Sequence, residues 1–162
     1  MTYRNKTYVC FDADNDMESY EEMLKWKDDD RNDFNFYNAH DLNNLRDGSL
    51  EDTIKRKLRE RLNNTKVMVV LVGEKTKNLH KFVRWEQEVA LEKEIPIIAA
   101  NLNEKNRCDN DLCPPIIRDE LVVHVPFDLK PIQTALDNWP DEYLKLKKDG
   151  ISGPRYYSNF DR

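Results

Sequence analysis

Three observations predict an α/β fold for these 162 residues, built as three layers around a five-stranded, mainly parallel sheet. The first is VMVVLVG at residues 67–73, six apolar residues rich in β-branched side chains and closed by Gly73, which is the pattern of a strand buried on both faces. The second is the charged amphipathic segment KNLHKFVRWEQEVALEKE, which must form a helix covering that strand. The third is that further apolar runs, IPIIAA at 95–100 and LVVHV at 121–125, follow in the same alternation.

Taken in order, residues 7–11 (TYVCF) form the first strand and run into the acidic loop 12–16, DADND. Asn15 with Glu18 has the form of a capping box, and Met17, Tyr20 and Leu24 continue at helical spacing to Trp26. Residues 34–37, with Phe34 and Phe36 on one face, read as a short edge strand, and 38–48 as a polar connection long enough to be functional. Ser49 caps a helix carrying Ile54, Leu58 and Leu62 inward. After the strands at 67 and 95, residues 101–120 read as a polar loop broken by Pro114 and Pro115. After the 121–125 strand, a helix begins at Pro131 and stops before Pro140, with a further turn or two around Tyr143, Leu144 and Leu146. The tail 150–162 packs Tyr156, Tyr157 and Phe160 back on the body.

Five strands joined by right-handed crossovers favour a flavodoxin-like order, 2-1-3-4-5, with its crevice where the first and third strands end. Residues 1–126 make the domain, and 127–162 a C-terminal helical extension and tail packing on it.

Glu86 is the anomaly of the covering helix. On a helical wheel Phe82, Val83, Trp85, Val89 and Ala90 share an apolar arc and Arg84, Gln87, Glu88 and Glu92 face away, but Glu86 lies in the middle of the apolar arc. A carboxylate there is costly unless paired, protonated or facing a cleft, so Glu86 is half of a structural ion pair, reaches water through a rotation of the helix, or is a functional group.

Composition removes several classes of function. A net charge of -5 with scattered Lys and Arg does not suit a nucleic-acid binder, and no segment approaches the ~20 apolar residues needed to span a bilayer. Three cysteines without a framework spacing fit a reducing, cytoplasmic setting. Cys108, Cys113 and His124 are conceivable zinc ligands, but their spacing departs from the common knuckles and no fourth ligand is evident, so no metal site is expected. Four glycines build neither a phosphate-binding Walker loop nor a dinucleotide fingerprint. The positions where a receiver domain needs a phosphoacceptor aspartate and a lysine carry Gly73 with Glu74, and Val125 with Pro126.

The run VMVVLVGEKT followed by FVRWEQEVALEKEIPIIAA resembles the third strand, active-site helix and fourth strand of Toll/interleukin-1-receptor (TIR) domains. It is most similar to the bacterial TIR-like branch that includes the ThsB proteins of Thoeris anti-phage systems. There an aromatic, a valine, two further residues and the catalytic glutamate open the helix, an order matched by Phe82, Val83, Arg84, Trp85 and Glu86. The resemblance implies an enzyme that takes NAD+ as substrate, with no other cofactor and no metal, and cleaves its nicotinamide glycosidic bond. Its product would be an ADP-ribose-derived, conceivably cyclic, signal read by a separate effector protein. It implies that Glu86 is catalytic, that Phe82 and Trp85 wall the ribose, and that Phe11 and Asp12 line the opposite rim. Asp47 and Gly48, where the loop after the second strand turns into the next helix, would also bind the substrate. It also implies self-association on activation, with Arg46 or His40 completing a neighbour's site. Two alternatives stand beside it, a non-catalytic TIR-like assembly module and, more distantly, a nucleoside deoxyribosyltransferase-like enzyme. Asp12 departs from the family, where a hydroxyl residue is common, and the acidic loop should repel a pyrophosphate.

Overall fold

A computed structural model of the chain describes residues 7–29, 51–79 and 81–160. Among the described residues five strands form one sheet: β1 (Thr7–Cys10), β2 (Val67–Val72), β3 (Ile97–Asn101), β4 (Val122–Pro126) and β5 (Arg155–Tyr156). All four pairings are parallel, from Thr7 against Val67 at one edge to His124 against Tyr156 at the other. The helices are α1 (Met17–Asp28), α2 (Glu51–Leu62), α3 (Phe82–Glu92), α4 (Pro115–Arg118) and α5 (Leu129–Lys148).

Strand parity divides the core in two. Tyr8, Cys10, Met68, Val70, Val72, Ile97, Ala99 and Val122 face α2, α3 and α4. Val9, Val67, Val69, Leu71, Ile98, Ala100 and Val123 face α1 and α5. Every residue of β2 is buried, so the central strand has no wet face and reads as an uninterrupted apolar run.

The strand order is 1-2-3-4-5 and not the expected 2-1-3-4-5. The strand anticipated at 34–37 lies outside the described residues, the other four anticipated strands keep their expected relative order, and the tail supplies an unforeseen fifth. The tail reaches the sheet because α5 ends in a Schellman turn: Gly150, at φ 76°, follows the cap, and the Gly150 and Ile151 amides donate to the Lys147 and Leu146 carbonyls.

Other local expectations are corrected by tertiary context. Asp16, not Asn15, precedes α1, and the Asn15 side chain donates instead to Asp12 Oδ2 at 2.7 Å. Residues 115–118 form α4, with proline at the start of the helix where its missing N–H costs nothing. The last helix begins at Leu129, capped by Asp128, and runs straight through Pro140. A proline inside a helix costs about 3 kcal/mol. Here the apolar stripe Ile132, Ala135, Leu136, Trp139 and Tyr143 continues on both sides of it, and each large side chain buried contributes about 1.5–3 kcal/mol, so burial outweighs the break.

Candidate active site

The rotation of α3 decides where Glu86 points. Val83, Val89 and Ala90 are buried in the core that α3 shares with the sheet and α2. On the α2 side Glu88 pairs with Lys55 at 2.8 Å and Arg84 at 3.0 Å, and Glu92 takes two bonds from Arg59 at 2.7 and 3.1 Å. Such exposed pairs are weakened by solvent and salt, so apolar burial sets the rotation and the ion pairs accommodate it. Glu86 is thereby carried inward and is 3 % exposed. Gln87, expected on the outer side, is buried too, its Nε2 reaching the Cys10 sulfur at the end of β1.

Among the described residues Glu86 meets the end of β1. The Cys10 thiol lies 3.6 Å from Glu86 Oε1 and 3.7 Å from the Val83 carbonyl, and Gln87 Nε2 donates to the sulfur at 3.9 Å. Burial first, then the Glu86 charge, hold the Cys10 thiol well above its ordinary pKa. The same two causes, in the same order, raise the Tyr8 phenol. Tyr8, two residues earlier on β1, shares this face, and its buried phenol is within reach of Glu86, whose charge and hydrogen bonding both raise it.

The loop after β1 is ordered by its own acids. Asp12, 2 % exposed, accepts from the amides of Asp14 and Asn15 at 3.0 and 3.3 Å, as well as from the Asn15 side chain. Asp16 lies against Gly73 so closely that a Cβ there would sit 2.2 Å from Asp16 Oδ2, which is why the residue closing β2 is glycine. Burial first, then the Asp12 charge, raise the Asp16 carboxyl to about 6, and Glu74 adds to the effect. Thr76 fixes the β2 exit, accepting from the Gly73 amide at 2.9 Å and donating to the Leu71 carbonyl at 3.3 Å.

The other anticipated site residues divide. Phe82 and Trp85 are partly buried and pack against the core cluster that contains Cys10 and Val83, on the Glu86 side of the sheet. Phe11 belongs to the opposite face, stacked on Tyr20 with ring centroids 4.4 Å apart. Asp47 and Gly48, like His40 and Arg46, lie outside the described residues. Tyr8, Cys10 and Gln87 were missed; strand alternation puts Tyr8 and Cys10 on one face, but parity alone does not say which helix that face meets. Two surface clefts, of about 270 Å³ beneath the tail and about 430 Å³ between α3 and α5, include none of Glu86, Cys10 and Asp12.

A family model described as the TIR-like domain of Thoeris protein ThsB matches residues 8–107. The chain belongs to the ThsB TIR-like family. The ThsB match takes in β1, α1, α2, β2, α3 and β3, and so the whole surround of Glu86 described above. Everything from Cys108 onward lies beyond it, including β4, α5 and β5. No helix among the described residues is long and apolar enough to cross a membrane.

Proposed function

We propose that the protein is a TIR-like enzyme of anti-phage defence that cleaves NAD+ between the nicotinamide nitrogen and C1′ of its ribose, with Glu86 as the catalytic carboxylate. The observation that carries this reading is the inward placement of Glu86, 3 % exposed on the apolar face of α3 beside the end of β1. Membership of the ThsB family supports it. In the reaction the glycosidic electron pair leaves with nicotinamide, and the ribose gains oxocarbenium character. A carboxylate held under that ribose stabilises the developing positive charge more than it stabilises the ground state, which is the condition for acceleration. Attack by water gives ADP-ribose, and attack by a hydroxyl of the same molecule gives a cyclic product. Phe82 and Trp85 are the candidates to wall the ribose. The acidic rim of Asp12, Asp14, Asp16 and Glu74 needs compensating positive groups for the pyrophosphate, and a second copy of the chain is the proposed source, so assembly and activity rise together.

The near-complete burial of Glu86 and the acidity of this rim also favour a second reading, a TIR-like assembly module without chemistry. Mass spectrometry of NAD+ incubated with concentrated protein, with and without lysate of phage-infected cells, separates the two. Release of nicotinamide with an ADP-ribose-derived product is expected of the enzyme. Unchanged NAD+ in every condition, with no NAD+ binding, leaves the assembly reading.

A further inference from the structure

The region beyond the family match holds a feature that the proposed reaction does not use. His124 lies on β4 with no exposed surface, on the sheet face opposite Val123 and Val125, and among the described residues neither of its ring nitrogens has a hydrogen-bond partner. An imidazole buried without a partner forfeits the hydrogen bonds it made in water, and natural cores rarely tolerate that at both nitrogens. Two thiols stand beside it. The Sγ atoms of Cys108 and Cys113 and a ring nitrogen of His124 all lie within 4.8 Å of one another.

The loop brings the thiols together by its own bonding. Asp109 accepts from the Asp111 and Leu112 amides at 2.9 and 3.1 Å, and from the Asn103 side chain at 2.9 Å, while its own carbonyl takes the Cys113 amide at 2.8 Å. Asp109 is thus engaged in shaping the turn. Arg118 holds the end of the turn, its guanidinium bonding the Cys113 carbonyl at 2.9 Å. Cys113 is fully buried and Cys108 partly exposed, so the cluster is closed on the core side and reached from outside past Cys108.

We propose that Cys108, Cys113 and His124 form a zinc site that clamps the loop after β3 to strand β4. Two thiolates and one imidazole suit a borderline-soft ion of tetrahedral preference and balance its double charge. Bonds of about 2.0–2.3 Å put tetrahedral ligand atoms about 3.3–3.8 Å apart, within reach of the observed cluster by small side-chain rotations. Water takes the fourth position on the Cys108 side. The third ligand comes from a strand, where only the fold brings it near, so the unusual spacing in sequence does not bar the site. A disulfide between the two cysteines is the competing chemistry, but it leaves His124 without a partner.

The test uses the untagged full chain, reduced and stripped with chelator, titrated with Co²⁺ and then Zn²⁺. One equivalent of Co²⁺ should give the intense visible bands of a tetrahedral ion and a thiolate charge-transfer band, both erased by Zn²⁺. Saturating Zn²⁺ should raise Tm by more than about 3 °C. Cys108→Ser, at a partly exposed position that leaves folding intact, and His124→Asn should each weaken Co²⁺ uptake at least tenfold and remove the Tm gain. Absence of uptake by the reduced wild type, equal uptake by Cys108→Ser, or a Cys108–Cys113 disulfide whose reduction restores no metal binding would each overturn the site.

Discussion

The sulfur of Cys10 and the Oε1 oxygen of Glu86, 76 residues apart in the chain, lie 3.6 Å apart where β1 ends against α3. A thiol in this position shields one side of the carboxylate from water. Glu86, 3 % exposed, thus sits in a low-dielectric surround, in which fixed charge acts most strongly on a developing cation.

The same contact makes Cys10 chemically inert. Alkylation needs a thiolate, and burial together with the Glu86 charge holds the Cys10 thiol well up, while burial raises Cys113 to about 12. In chelator-treated native protein, iodoacetamide should modify Cys108 first, with Cys10 and Cys113 slower by on the order of 100-fold and exposed only on unfolding. Peptide mapping over time checks the order, and early labelling of Cys10 would contradict the packing at Glu86.

Asp16 should make stability fall as pH rises. Its carboxyl is raised from 3.8 to about 6, so between those values the folded chain holds a proton that the unfolded chain releases. The associated stability is complete below about 4 and lost as pH passes through about 6, leaving a charged Asp16 facing Asp12 and Glu74 at neutral pH. Asp16→Asn should therefore stabilise the protein at pH 7.5, with the gain vanishing near pH 4. Urea denaturation at the two pH values measures this. An equal gain at both would assign the effect to helix capping.

Glu94 should be improvable. It follows the cap of α3 in a Schellman turn, at φ 56°, with the Glu94 and Ile95 amides donating to the Leu91 and Ala90 carbonyls. The left-handed conformation costs a non-glycine residue about 1–2 kcal/mol. Its exposed ion pair with Lys147 at 3.0 Å returns at most about 1 kcal/mol. Glu94→Gly should raise stability by roughly 0.5–1 kcal/mol in urea. A loss would show that the Lys147 pair outweighs the backbone.

How far the fold was legible follows from which forces act locally. The apolar run of β2 and the wheel of α3 carry their burial in their own composition, so the strand and the inward Glu86 could be read directly. The pairing of Arg155–Tyr156 with β4, the passage of α5 through Pro140 and the burial of Gln87 depend on partners distant in sequence, and local pattern argued against each. Phe11 shows the limit of reading a strand end: period-two alternation separates it from Cys10, and the contact with Tyr20 decides which face it takes. The Cys108, Cys113 and His124 cluster shows the same limit for a site, because its spacing in sequence carries no record of the sheet that assembles it.

Glu86→Gln tests the central claim most directly, because it keeps the shape of the side chain and removes only its charge. The variant should unfold cooperatively with Tm within a few degrees of wild type, and under conditions where wild type releases nicotinamide from NAD+ its rate should fall by roughly 100- to 1,000-fold, the loss typical of removing one group that stabilises transition-state charge. A folded Glu86→Gln that turns over NAD+ at the wild-type rate would contradict the assignment of Glu86 as the catalytic carboxylate.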